Sequence, residues 1–156
     1  MASKTPYIRM ANHPLFDNIM LLHEKIDKLK RHHNNLIYFY QVHLQQLDEY
    51  KDISPNYADI LQGSRFHSRL KKLESKIKIL TSELDSLHKS LLDAQSNLFD
   101  ALHSVQLSPE EFDALYHRYI LGEPIRVIAN NMGHSLAGFV LIRNSATVKF
   151  VSQFKH

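Results

Sequence analysis

Cysteine is absent from this chain of 156 residues, so it can hold neither a disulfide framework nor a thiolate metal site. Glycine and proline are scarce, at 4 and 5 residues, and the β-branched runs that would read as strands are missing. With so little to break helices, an almost all-α protein is expected. No apolar run approaches the roughly 20 residues of a membrane span. The stretch Met1-Ala2-Ser3-Lys4-Thr5-Pro6-Tyr7-Ile8-Arg9 has no apolar signal core, so the expectation is a soluble, cytoplasmic protein without a membrane partner. Glycine-rich phosphate loops, nucleophile elbows and paired-carboxylate motifs are lacking too, and neither catalysis nor a cofactor is expected. Charge of one sign barely dominates: 19 Lys and Arg against 16 Asp and Glu leave a formal +3 and a pI near 9.1. That balance permits nucleic acid as a partner without demanding it.

What the chain does have is helical periodicity. From Phe66 the apolar residues step by four and three through Leu70, Leu73, Ile77, Leu80, Leu84, Leu87, Leu91, Ala94, Leu98, Ala101 and Val105. This is the heptad a/d pattern of a coiled coil, and it predicts one long helix running on to Ser108. An earlier stripe, Leu15, Ile19, Leu22, Ile26, Leu29, His33, Leu36, Tyr40, His43 and Leu47, repeats the spacing. Breakers lie between them, in Lys51-Asp52-Ile53-Ser54-Pro55-Asn56-Tyr57 and Gln62-Gly63-Ser64. The stripes Leu15 to Leu47 and Phe66 to Leu98 have equal length, so the chain is expected to fold back as a long antiparallel helical hairpin. The expected division is an arm over 1–14, the hairpin over 15–106 and a small C-terminal domain over 107–156.

Residues 108–151 read as a different kind of module. Ser108-Pro109-Glu110-Glu111 is a capping box with proline at the first helical position, and the helix it starts should bury Phe112, Leu115, Tyr119 and Ile120 and end at Gly122. Pro124 can open the next helix. There Ile128 beside the small Ala129 permits a close helix crossing, and Gly133, four residues on, supplies a turn with positive φ. Ser135 is the N-cap of a second helix, whose Phe139 and Ile142 anchor it to the little domain. The string from Tyr119 to Ser135 resembles the helix-turn-helix of sigma-factor region 4, and is especially similar to phage and prophage regulators of the ArpU and RinA type. The resemblance covers about the last third of the chain. It implies a DNA-binding transcriptional regulator of a bacterial cell or phage-infected host, with double-stranded DNA as partner.

The match departs from that family where bases would be read. Ser135, Leu136, Ala137, Val140 and Leu141 occupy the groove-facing positions, whereas bidentate reading of guanine or adenine needs Arg, Lys, Asn or Gln. Arg126, Arg143, Asn144 and Lys149 remain to hold phosphates. The alternative is a protein-interaction module or inhibitor that uses the same fold, with Leu136, Val140, Leu141, Val148 and Val151 as a second buried face. A small terminase-like DNA-packaging protein ranks below both, because its usual order places the DNA-binding module first.

Helix one carries more apolar surface than a two-stranded seam requires, in Phe16, Ile37, Phe39, Val42 and Leu44. Ile37, Phe39 and Leu44 are the candidate oligomerisation residues of a homodimer or larger assembly, unless the C-terminal module folds back onto the hairpin. Basic residues cluster at Lys25, Lys28, Lys30 and Arg31 and again at Arg65, Arg69, Lys71, Lys72, Lys76 and Lys78, either as a docking surface or as a solvated coiled-coil face. Of the 11 histidines, His32-His33 is the nearest to a metal pair, but adjacent helical residues diverge and no third ligand completes it. Asp113 and His117 read as a surface ion pair one turn apart.

Overall fold

The computed structural model describes residues 12–53 and 65–154, and every regular element among them is helical. Helix α1 spans Pro14–Ile53 and helix α2 spans Arg65–His103. At the start of α1 the His13 Nδ1 accepts the Leu15 N–H at 3.1 Å, while Asp17 in the first turn favours the positive helix end. The helix continues through Lys51–Ile53, beyond its expected break, and stops two residues before Pro55. The remainder of that break, Ser54–Tyr57 and Gln62–Ser64, lies outside the described residues, as do residues 1–11 of the expected arm and the side chain of Phe66.

The two long helices pack as an antiparallel hairpin along the expected stripes. Ile26, Leu47, Leu70, Leu73, Leu80 and Leu84 are buried, and His43 and the half-buried His33 and Tyr40 occupy seam positions as the spacing requires. The Thr81 hydroxyl donates to the Ile77 carbonyl at 2.8 Å and so accepts from His33 Nε2 at 2.9 Å, while Tyr40 donates to Glu74 Oε1 at 2.6 Å. These pairs are seven residues apart on both helices and fix one antiparallel register.

By its contacts the chain forms two compact units, one of residues 25–53 with 65–88 and the other of residues 12–24 with 89–154. The second unit is built on Phe16, Ile19, Leu98, Leu102, Leu115 and Phe150, all almost fully buried. Phe16 therefore does not belong to a surplus face. It is the centre of this core, stacked on Tyr119 at 4.4 Å and tilted against Phe150 at 5.0 Å.

Helix α2 ends at His103 rather than Ser108, because Ser104 Oγ caps the Ala101 carbonyl at 2.7 Å and the next residues turn away. Gln106 N–H then donates to the Gln153 side chain at 2.7 Å. Helix α3, Pro109–Leu115, follows and passes into a π-helical turn at Tyr116–Ile120, closed by Leu121 N–H on the Tyr116 carbonyl at 3.1 Å. The wider turn leaves carbonyls to satisfy. Gln95 Nε2 donates to Ile120 at 2.6 Å, and His23 Nε2 donates to Tyr119 at 2.9 Å.

Two short elements remain, α4 at Ile125–Asn131 and α5 at Leu136–Gln153. Gly122 and Gly133, which end α3 with its π turn and α4 respectively, have φ of +70° and +74°. Gly133→Ala is expected to cost about 1–2 kcal/mol from backbone strain alone, since nothing lies within 4 Å of where its Cβ would sit. At Gly122 a Cβ would fall 2.8 Å from the His23 ring. Gly122→Ala should therefore cost about 1 kcal/mol more, as the ring must also loosen its hydrogen bond. Urea unfolding of both variants checks this; equal losses would mean that His23 yields freely.

Candidate interaction site on the C-terminal helix-turn-helix

The corner between α4 and α5 forms as the residues dictate. Ala114, Ile128, Ala129 and Phe139 are buried together, with Ile125, Met132 and Ile142 packed against them. The small Ala129 lets α5 cross close by, and His134 N–H reaches back to its carbonyl at 2.9 Å. Ser135 Oγ accepts the Gly138 N–H at 3.0 Å and caps α5. That contact uses the serine oxygen as the N-cap acceptor.

Helix α5 buries Phe139, Ala146, Thr147 and Phe150. At 100° per residue, the opposite half of the helix carries Ala137, Gly138, Leu141, Asn144, Ser145, Val148, Lys149, Val151 and Ser152. Its one charged residue is Lys149, at the edge of that half. Leu141 is 70% exposed, Val148 51% and, on the flank, Leu136 44%. Leu136, Val140, Leu141, Val148 and Val151 are thus not a second buried face within the chain; three of them stand in solvent and two are half-buried. Ala137, Leu141, Asn144, Val148 and Val151 recur at four and three residues, the spacing of a helix-packing seam with one polar position.

The cations expected to hold phosphates fare differently. Lys149 points across to Glu111, with its Nζ 2.8 Å from Oε2 and 3.0 Å from Oε1. Glu111 also accepts the Ser108 N–H at 2.9 Å, completing the capping box, and the Ser145 hydroxyl at 3.1 Å. Burial on its own would push this carboxyl up, but the Lys149, Ser108 and Ser145 hydrogen bonds and the lysine charge outweigh it and hold its pKa at about 2. Lys149 is thus paired within the fold, although 47% of its side chain is exposed. Arg143 is half-buried beside Asn144, its guanidinium 3.4 Å from Oδ1. Burial raises the pKa of the Tyr119 hydroxyl, and the charges of Arg143 and Arg118 oppose that rise. Arg126 is exposed and has no carboxylate partner among the described residues. Across 107–154, four Lys and Arg meet four Asp and Glu, so the module carries no basic excess.

Other expected pairings shift. His117 pairs with Glu123 at 2.8 Å rather than with Asp113, because the π turn swings the ring toward the following loop. His134 pairs with Glu110 at 2.6 Å. On α1, Phe39 is 50% exposed and Leu44 is also exposed, with Ile37 half-buried. Helical geometry sets Phe39 about 160° round from Ile37, so the three do not make one oligomerisation patch. Among the described residues no helix is long and apolar enough to cross a membrane.

No protein-family model, curated protein or solved structure matches the chain. The Glu111–Lys149 pair, the π turn and the His23–Gly122 approach lay outside the sequence reading. Only the capping box hinted at the first of them.

Proposed function

We propose that the protein is an interaction module in which a helix-turn-helix fold docks an apolar helix of a protein partner through the outward half of α5. One observation carries this reading: α5 has a buried apolar face and, away from it, the exposed apolar side chains Leu141, Val148 and Leu136. A helix of that kind is stable in an assembly that buries both of its faces, and an exposed apolar stripe rimmed by polar side chains marks such a surface. The charge pattern agrees, because Lys149 is neutralised and the module has no net basic charge to release counterions from DNA. A DNA-binding regulator of the phage or prophage type is the second reading. The corner built on Gly133 and Ser135 favours it, with Arg126 exposed on α4.

Leu141→Asp and Val148→Asp lie on the solvent side of α5 and should leave the unfolding transition unchanged. Light scattering assigns the partner: a wild-type dimer that Leu141→Asp converts to monomer makes it a second copy, and a wild-type monomer makes it another protein. Duplex DNA titrations at several salt concentrations test the second reading. If DNA is the target, binding is measurable, and Arg126→Ala and Arg143→Ala each flatten the log–log salt slope by about one unit. Such flattening in a monomeric wild type would overturn the protein-docking reading.

A further inference from the structure

One side of the unit formed by 25–53 and 65–88 differs from the other in a way that points to a partner. On one flank the two helices are tied by His33–Thr81 and Tyr40–Glu74. The other flank, which holds His43, is built differently. A row of three hollows lies there instead, of about 270, 280 and 480 Å³. Leu73 lines the first, Leu80 the second and Leu87 the third, with Phe39, Leu36 and Leu29 facing them from α1. The hollows thus recur every seven residues, about 10.5 Å along the axis, which is the spacing of successive knobs on a helix laid alongside. The lining from Arg69 to Leu87 extends over about 27 Å, or five helical turns. Lys25, Lys28, Arg69, Lys72 and Lys76 edge the groove, against Glu83 as the one lining carboxylate. Glu74, which would temper the charge, is held on the opposite flank by Tyr40.

We infer that this groove receives an acidic amphipathic helix of another protein, its apolar residues at heptad spacing entering the three hollows and its carboxylates meeting the basic edges. A second copy of the same groove would set five cations against five. Nucleic acid would satisfy the charge but leave the aliphatic floor uncovered, since Phe39 is the only aromatic ring other than histidine in the lining on which a base could stack.

The test titrates the full chain, by fluorescence anisotropy, with a labelled helical peptide of about three heptads that has leucine at a and d and glutamate at e and g. The same peptide with lysine for glutamate, and DNA of about 20 nucleotides in single-stranded and duplex form, are the competing probes. The acidic peptide should bind and the basic one should not. The exposed double variant Lys72→Glu/Lys76→Glu should weaken the acidic peptide by about tenfold or more and admit the basic one. Lys78→Glu, on the other flank, should change neither. Ile79→Asp, at the exposed edge of the middle hollow, should also weaken the acidic peptide while the far-ultraviolet circular dichroism stays that of wild type. Failure of the acidic peptide to bind, binding that survives the charge reversal, or equal binding of both peptides would overturn the inference. So would DNA binding that the double variant alone abolishes, which would assign the groove to nucleic acid.

Discussion

Phe16→Ala is expected to lower stability by about 3–5 kcal/mol, although Phe16 stands more than ninety residues before the helices it holds in place. Its ring is fully buried and touches three segments: Tyr119 in the π turn, Phe150 on α5, and the Ile19–Leu98 layer where α1 meets α2. Removing it leaves a cavity that no neighbour can fill without moving a backbone, because the rings of Phe150 and His13, at 5.4 Å, are themselves locked edge to face. The consequence is cooperative. The C-terminal helix-turn-helix should therefore not be self-sufficient, and a fragment of residues 107–156 is expected to show little helix in solution. Urea unfolding gives the first quantity and circular dichroism the second. A loss below about 1 kcal/mol, or a folded fragment, would mean that the core around Phe16 is dispensable.

Local rules explain which features were readable beforehand. The capping box at Ser108, the Gly133 turn and the Ser135 cap each depend on residues within four positions of one another, and each is found where the spacing puts it. The heptad stripes were readable for the same reason, since a seam of four and three steps leaves little choice of face. The all-α hairpin follows from them. Contacts between distant segments were not readable. Glu111 looks like half of a capping box, and Lys149 like a free cation; nothing in either neighbourhood says that they meet across 38 residues. Phe16 looked like surplus apolar surface because its partners, Tyr119 and Phe150, lie in the last third of the chain. The mistaken grouping of Ile37, Phe39 and Leu44 has another cause: counting apolar residues along a helix without their angles merges two flanks that face different ways. The exposed apolar residues of α5 were visible in the sequence, but only the fold shows which half of that helix the core has already used.

The Glu111–Lys149 pair should make stability depend on pH in a window that can be stated in advance. The Glu111 pKa falls from an ordinary 4.5 to about 2 on folding, so below 4.5 the unfolded chain binds the proton that the folded chain refuses. The contribution of this group is complete above about pH 5, and it is lost as the pH falls through 4.5 toward 2. Glu111→Ala removes the cap on the Ser108 N–H together with the hydrogen bonds to Ser145 and Lys149. About 3 kcal/mol is expected at pH 7, near the low end for a broken buried pair because Lys149 can return to water. In Lys149→Ala the carboxylate stays buried without its counterion, burial then counts for more, and the acid loss between pH 5 and pH 3 should shrink or reverse relative to the wild type. Urea unfolding between pH 7 and pH 3 distinguishes the three proteins. Parallel profiles for wild type and Lys149→Ala would show that the lysine does not set the carboxylate's pKa, and would return Lys149 to the set of cations free to meet a phosphate.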